Sequence, residues 1–180
     1  MGFIITHKEI DMKKLVIIPL IVLLGCGASM PKWASSTKCS KGFICAVGIG
    51  EADNVTAALA LARDDARGQI TQQVEVEVSA TSNRVIDLVG TRTAASTYVN
   101  GLSTIASERL SGMTPKRQYQ NKKSGIWTAY VLMEFDEGAF AEKQLELAKK
   151  NDEVWQQYRG SELMKEHEKK IEEYRKRKGS

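Results

Sequence analysis

The chain has 180 residues, a formal charge of +4 and 27% charged residues, with acids and bases mixed along its length. That balance is too mild to argue for nucleic acid, while 42% apolar content suffices for one domain with a modest core. Its two histidines, His7 and His167, and three cysteines, Cys26, Cys39 and Cys45, lack the spacing of a zinc knuckle, so neither a metal nor a cofactor is expected.

Residues 1–25 read as an export signal. Lys13-Lys14 precedes a ten-residue apolar run, Leu15 to Leu24, which closes on Gly25-Cys26. Cations, a short apolar run and small residues in that order mark a secretory leader. The run falls short of the roughly 20 apolar residues that a spanning helix needs. Met12 stands directly before the lysine pair, and Lys8-Glu9 can be encoded as a ribosome-binding sequence, so translation is expected to start at Met12. A precursor peptide from Met1 to Asp11, found by mass spectrometry under inhibited signal cleavage, would overturn that start. Leu23-Leu24-Gly25-Cys26 resembles the lipobox of bacterial lipoproteins. The resemblance implies cleavage before Cys26, a diacylglycerol on its thiol and acylation of the new amine. Gly27 is not aspartate, so the sorting rule of such lipoproteins implies the outer membrane. Export past the inner membrane also permits a disulfide between Cys39 and Cys45, beside the alternative of two separate thiols.

Residues 26–42 are small and polar and read as a lipidated tether, with Trp33 placed to dock on the domain edge. Phe43 to Ile49 is a short apolar run that predicts a buried strand. Gly48-x-Gly50 reads as a tight strand-to-helix turn, since Glu51 and Asp53 would repel a phosphate there. Asp53 or Asn54 caps a helix whose apolar stripe is Val55, Ala58, Leu59, Ala62, Ala66 and Ile70. The alanines make the stripe thin, so this helix can lie close to a sheet. Val74 to Ser79 alternates strictly and predicts a half-buried strand with Glu75 and Glu77 in water. The Ser/Thr/Asn-rich residues that follow leave open whether that strand continues. Helical spacing returns near Ser96 to Leu110. Thr114 to Gln120 reads as an edge strand, Asn121 to Gly125 as a turn, and Ile126 to Phe135 as a strand apolar on both faces. Asp136 caps a helical region that runs nearly to the end.

In that region Phe140, Leu147, Val154 and Tyr158 share one face; Met164, His167, Ile171 and Tyr174 form a narrower stripe. Its distal half is so polar that it is expected either to stand in solvent or to pack on another subunit. His167 reads as a helix-surface residue, and Arg175 to Lys178 as a solvated helix end whose cations suit the dipole. The fold expected is α+β: a small antiparallel sheet with packed helices, in the order β-α-β-α-β-β, and a long polar C-terminal helix. Residues 43–135 form the domain and 136–180 a helical extension. No nucleophile stands beside a base, and the adjacent Asp64 and Asp65 point about 100° apart on a helix, so no catalytic residue is expected.

Several segments occur in a telling order: the lipobox, Pro31-Lys32-Trp33, Ala46-Val47-Gly48-Ile49-Gly50, Leu61-Ala62-Arg63-Asp64-Asp65-Ala66-Arg67 and Tyr130-Val131-Leu132-Met133 before an acidic cap. In this order the chain resembles the twenty-kilodalton outer-membrane lipoprotein family, and within it the flagellar FlgP-like members. The resemblance implies a non-catalytic helix-on-sheet domain anchored in the outer membrane through Cys26. Flagellar members form a ring or disk needed for motility, and other members are surface antigens of unclear role. Self-association is therefore expected, through the thin alanine helix and the polar C-terminal helix. The alternative is an envelope binding module that holds peptidoglycan or a protein.

Overall fold

The computed structural model describes residues 30–36 and 38–179. Met12 and Cys26 lie outside the described residues. The elements in chain order are α1 (Lys32–Ser35), β1 (Phe43–Ala52), α2 (Val55–Val89), α3 (Arg92–Ser111), β2 (Pro115–Lys123), β3 (Ile126–Asp136), α4 (Glu137–Lys149), α5 (Asp152–Tyr158) and α6 (Glu162–Lys178). The fold is α+β, with one antiparallel sheet of strand order β1-β3-β2.

β3 is the strand with two apolar faces and sits in the middle, paired on one side with β1 (Ala46 opposite Met133, Gly50 opposite Ala129) and on the other with β2 (Tyr119 opposite Tyr130). The β2–β3 hairpin turns through Ser124 and Gly125, at φ 49° and 89°. Two residues with positive φ match the right-handed twist of the flanking strands.

The residues expected as a strand, Val74 to Ser79, are helical. α2 runs unbroken for 35 residues, roughly 50 Å. Val74 and Val78 are four apart and continue the ridge of Ala58, Ala62, Ala66 and Ile70, whereas Val76 stands 71% exposed on the other side. Burial along the ridge overrides the β-preference of three valines. The observed order is thus β-α-α-β-β followed by helices. Asn54 caps α2, its side chain accepting from the Ala57 N–H at 2.8 Å. Gly90, at φ 85°, ends the helix with its N–H on the Ile86 carbonyl, and Thr91 starts α3.

Gly48 and Gly50 lie inside β1, not in a strand-to-helix turn, and set the contact between sheet and helix. A Cβ on Gly48 would stand 1.9 Å from the Ala62 carbonyl oxygen, and one on Gly50 2.2 Å from that of Ala58. Glycine faces alanine at van der Waals limits, so backbone meets backbone.

The C-terminal helices are not an extension held apart. Phe140, Ala148, Val154, Tyr158 and Leu163 belong to the same core as Ala46, Ile70, Tyr98, Val131 and Met133. α6 does not stand in solvent: Leu163, His167 and Ile171 are buried, and Gly138 of α4 lies so near that a Cβ would touch Tyr174 Cβ at 2.4 Å. Its polar side chains find partners within the chain. Lys170 Nζ reaches Glu77 of α2 at 2.6 Å and Glu137 at 3.3 Å, and Arg84 binds Glu166 through both carboxylate oxygens at 2.6 and 3.0 Å. The basic end is not simply solvated. Arg175 pairs with Glu142 at 2.9 Å. Arg177 pairs with Asp136 at 2.8 Å, donates to the Lys41 carbonyl and covers the Phe43 ring.

Candidate functional site

The sheet has a covered face and an open one. Ile44, Ala46, Gly48 and Gly50 of β1 and Trp127, Ala129, Val131, Met133 and Phe135 of β3 point toward the helices. The alternate residues make the open face. Its rows, read from β1 through β3 to β2, are Val47, Leu132 and Arg117, then Ile49, Tyr130 and Tyr119. The Tyr119 and Tyr130 rings lie 6.4 Å apart. Among the described residues, seven large apolar side chains are exposed. Ile49, Tyr119 and Ile126 share this face and Met30 leads into it, while Leu61, Val76 and Leu88 are scattered along α2.

The N-terminal segment is fixed at one end of this face. α1 lies against β3, and its half-buried Trp33 lines a cleft of about 220 Å³ together with Lys38, Arg117, Leu132 and Glu134. Residues 30–36 therefore do not float as a free tether. Cys39 and Cys45 are joined in a disulfide, and Cys45 faces outward opposite Glu134. Ser40 donates to Glu134 at 3.3 Å, and Lys116 pairs with the same carboxylate at 3.3 Å. Of the residues singled out in the sequence, Cys39, Cys45 and Trp33 thus gather at one place, next to the point from which the chain leads back to Cys26.

The two sheet edges differ. On β1 the Asp65 carboxylate of α2 accepts from the Ile49 N–H at 2.9 Å, and Gln69 Nε2 donates to the Val47 carbonyl at 3.2 Å. Those side chains occupy backbone groups that an added strand would use. β2 has no such cover among the described residues; lysine and arginine at 116, 117, 122 and 123 mark that edge instead.

His167 is 3% exposed, in the helical layer away from the sheet, and not on the helix surface. It is hydrogen-bonded to the Tyr158 hydroxyl through Nδ1. Burial, and then the Lys170 ammonium, lower its pKa to about 4, so the ring is neutral near pH 7 and Nδ1 accepts from the phenol. Burial pushes the Tyr158 and Tyr98 hydroxyls well above their ordinary range. Burial also works against the Lys170 charge, but Glu77 and Glu137 outweigh it and its pKa is raised. His167, Tyr158 and Tyr98 are buried where α3, α5 and α6 meet, while Lys170 and its two glutamates reach the surface. Among the described residues no group of three or more His, Cys, Asp or Glu is arranged to hold a metal ion, and no helix is long and apolar enough to cross a membrane.

Sequence reasoning missed Asp65 and Gln69 as guards of the β1 edge; their four-residue spacing beside the alanine stripe was the available signal. It also missed the burial of His167, although Leu163, His167 and Ile171 recur at fours. Set against protein-family models, curated proteins and solved structures, the chain matches none of them.

Proposed function

We propose that this chain is an outer-membrane lipoprotein and a non-catalytic structural subunit of the cell envelope, in a flagellum-associated ring or disk needed for motility. The observation that carries the anchor is positional. The lipobox cysteine, Cys26, stands four residues before Met30, and the residues from 30 onward are held to the sheet by Trp33 and the nearby disulfide. One acyl chain binds membranes marginally and two suffice for stable anchoring; the three carried by a mature lipoprotein would hold the domain at the surface. The lipoprotein resemblance supports the envelope and flagellar parts of the reading. The alanine helix and α6 are used up by packing within the chain, so contacts between copies fall to surfaces that stay open, such as the β2 edge. Mass spectrometry of the mature protein tests the anchor: an unmodified Cys26 would remove it. Gene deletion scored by swimming and by tomography of the envelope tests the assembly, and normal swimming with an unchanged motor would remove the flagellar role.

A second reading, an envelope binding module, draws support from a groove between α2 and α3. It holds about 610 Å³, has Val74, Val78 and Leu110 in its floor and serine hydroxyls on its rim, and continues past Ser82. Ser82 Oγ and Arg67 Nε are buried there without hydrogen-bond partners among the described residues. Groups of that kind suit a hydroxyl-rich ligand such as the peptidoglycan glycan. Co-sedimentation with purified peptidoglycan, lost in Arg67→Gln, would favour this reading; no sedimentation of the unaltered protein would end it.

A further inference from the structure

Among the described residues no helix packs over the part of the open face that carries Ile49, Tyr119 and Ile126, whereas Cys45, Tyr130 and Leu132 in its middle and at the α1 end are buried, and the chain leads into that end from Cys26. We infer that this face lies on the bilayer: it is a docking surface for anionic phospholipid, and the anchor presses it there. The inference rests on the lipoprotein reading of Cys26.

The first argument is reach. Three residues lie between Cys26 and Met30, and over those four steps a fully extended chain covers at most about 3.5 Å each, or about 14 Å in all. The acyl chains enter the membrane beside Cys26, so the surface next to Met30 and Trp33 cannot stand far from the headgroups. A long tether would let the domain tumble. The contact of α1 with β3, beside the cleft that Trp33 lines with Leu132 and Arg117, removes that slack.

The second argument is chemistry. Ile49, Tyr119 and Ile126 are 45%, 38% and 46% exposed, and they extend the contact across the sheet from the docked tryptophan. Tyrosine and tryptophan suit a headgroup layer, with an apolar ring body and a polar tip. Cations outnumber carboxylates on this face. Lys38, Arg117 and Lys123 lie on or beside this face, and no ion pair holds them among the described residues. Of the carboxylates here, Glu134 is paired with Lys116, while Glu51 on the Thr128 hydroxyl and Asp65 on the Ile49 N–H keep their charge, so the four cations Lys38, Lys116, Arg117 and Lys123 exceed the three carboxylates by one. A net cationic, half-apolar face fits an anionic lipid surface. It fits a second copy of itself poorly, because a two-fold pairing would bring two cationic faces together.

The test uses the full-length lipoprotein purified from membranes. Cys26 is blocked if acylated, and Cys39 and Cys45 are disulfide-bonded, so one nitroxide label can be placed at Ile49→Cys and, in a separate variant, at Val76→Cys on α2. Each is reconstituted in vesicles of phosphatidylethanolamine and phosphatidylglycerol. Power saturation then compares collisions with oxygen, which partitions into lipid, and with a water-soluble nickel chelate. The expected result is at least a fivefold lower nickel-to-oxygen accessibility ratio at position 49 than at 76. Equal ratios, with Cys26 shown by mass to be acylated, would overturn the docking and leave the anchor standing. Spin–spin broadening at position 49 that disappears on dilution with unlabelled protein would also overturn it, in favour of a second copy on that face. An unmodified Cys26 would defeat the lipoprotein reading, and this inference with it.

Discussion

The two faces of the sheet are built from the same strands on opposite principles. On the covered face β1 contributes Ala46, Gly48 and Gly50, and α2 answers with Ala58, Ala62 and Ala66, all but the last unit of side-chain volume stripped away. On the open face the alternate positions are Cys45, Val47 and Ile49, larger residues of which Cys45 is covered by its disulfide to Cys39, Val47 is half-buried and Ile49 is exposed. Alternation decides which residue goes where, but the reason differs. The covered face is held by close packing of backbone on backbone. The open face is held at one end, by a disulfide and a tryptophan, and left free at the other.

The largest effect should come from filling the covered face. Gly48→Ala puts a methyl group where the Ala62 carbonyl stands, and neither strand nor helix backbone can step aside locally. We expect a loss of about 3 kcal/mol or more in urea unfolding. Gly68→Ala, in the same helix with open space around it, should instead gain up to about 1 kcal/mol from helix propensity. Equal effects of the two substitutions would mean that α2 does not touch the sheet at Gly48.

Behind α2 the covered side deepens into the layer that holds His167, and protons probe it. The folded ring resists protonation down to about pH 4, whereas an unfolded histidine takes its proton near 6.5. Between those values the unfolded chain binds more protons, so stability rises with pH there. It is fully present above pH 6.5 and is lost as the pH falls toward 4, by about 3 kcal/mol across the window. Urea midpoints at pH 7, 6 and 5 would show the slope, before carboxylates such as Glu166, held low first by its hydrogen bond to Arg84, begin to titrate. His167→Gln should flatten the dependence over that range. An unchanged slope in that variant would place the titration elsewhere.

How much of this was legible in the sequence follows from what is local. The caps at Asn54 and Asp136 need only their own helix starts, and both are where the residue types put them. β3 declared itself by apolar residues on both faces. Val74-Glu75-Val76-Glu77-Val78 did not, because period two and spacing four both hold for Val74 and Val78; only the exposure of Val76 separates them, and that is a tertiary fact. Arg177 needed the chain's two ends side by side, since its partners are Asp136 and the Lys41 carbonyl. Of the candidate site, Cys26, Cys39, Cys45 and Trp33 were visible as residue types. That Trp33 docks where β2 cations and the Cys45 end of the sheet meet was not, because nothing in the local sequence gives the strand order β1-β3-β2.

The disulfide is the open face's counterpart to packing. Cys39→Ser with Cys45→Ser should cost about 2.5 kcal/mol through the entropy of the closed loop. Hydrogen exchange should rise at the start of β1 and in α1 while α2 stays protected. Loss of protection throughout α2 would mean that the clamp holds the whole domain and not one end of one face.

The smallest effect should come from the middle of the open face. Ile49 is already 45% exposed and its side chain meets no second layer, so Ile49→Ser should change stability by no more than about 0.5 kcal/mol in urea unfolding of the purified protein. Its backbone N–H keeps the Asp65 carboxylate whatever the side chain, which removes the main route by which such a change would be felt. A loss above about 1 kcal/mol that grows with protein concentration would show that the face is covered in solution by another copy. A near-zero change means that Ile49 contributes little to folding, and the equally exposed Tyr119 and Ile126 are expected to follow it. Their size is then unexplained by stability, in contrast to the glycines behind them, and a surface outside the chain becomes the reason for it.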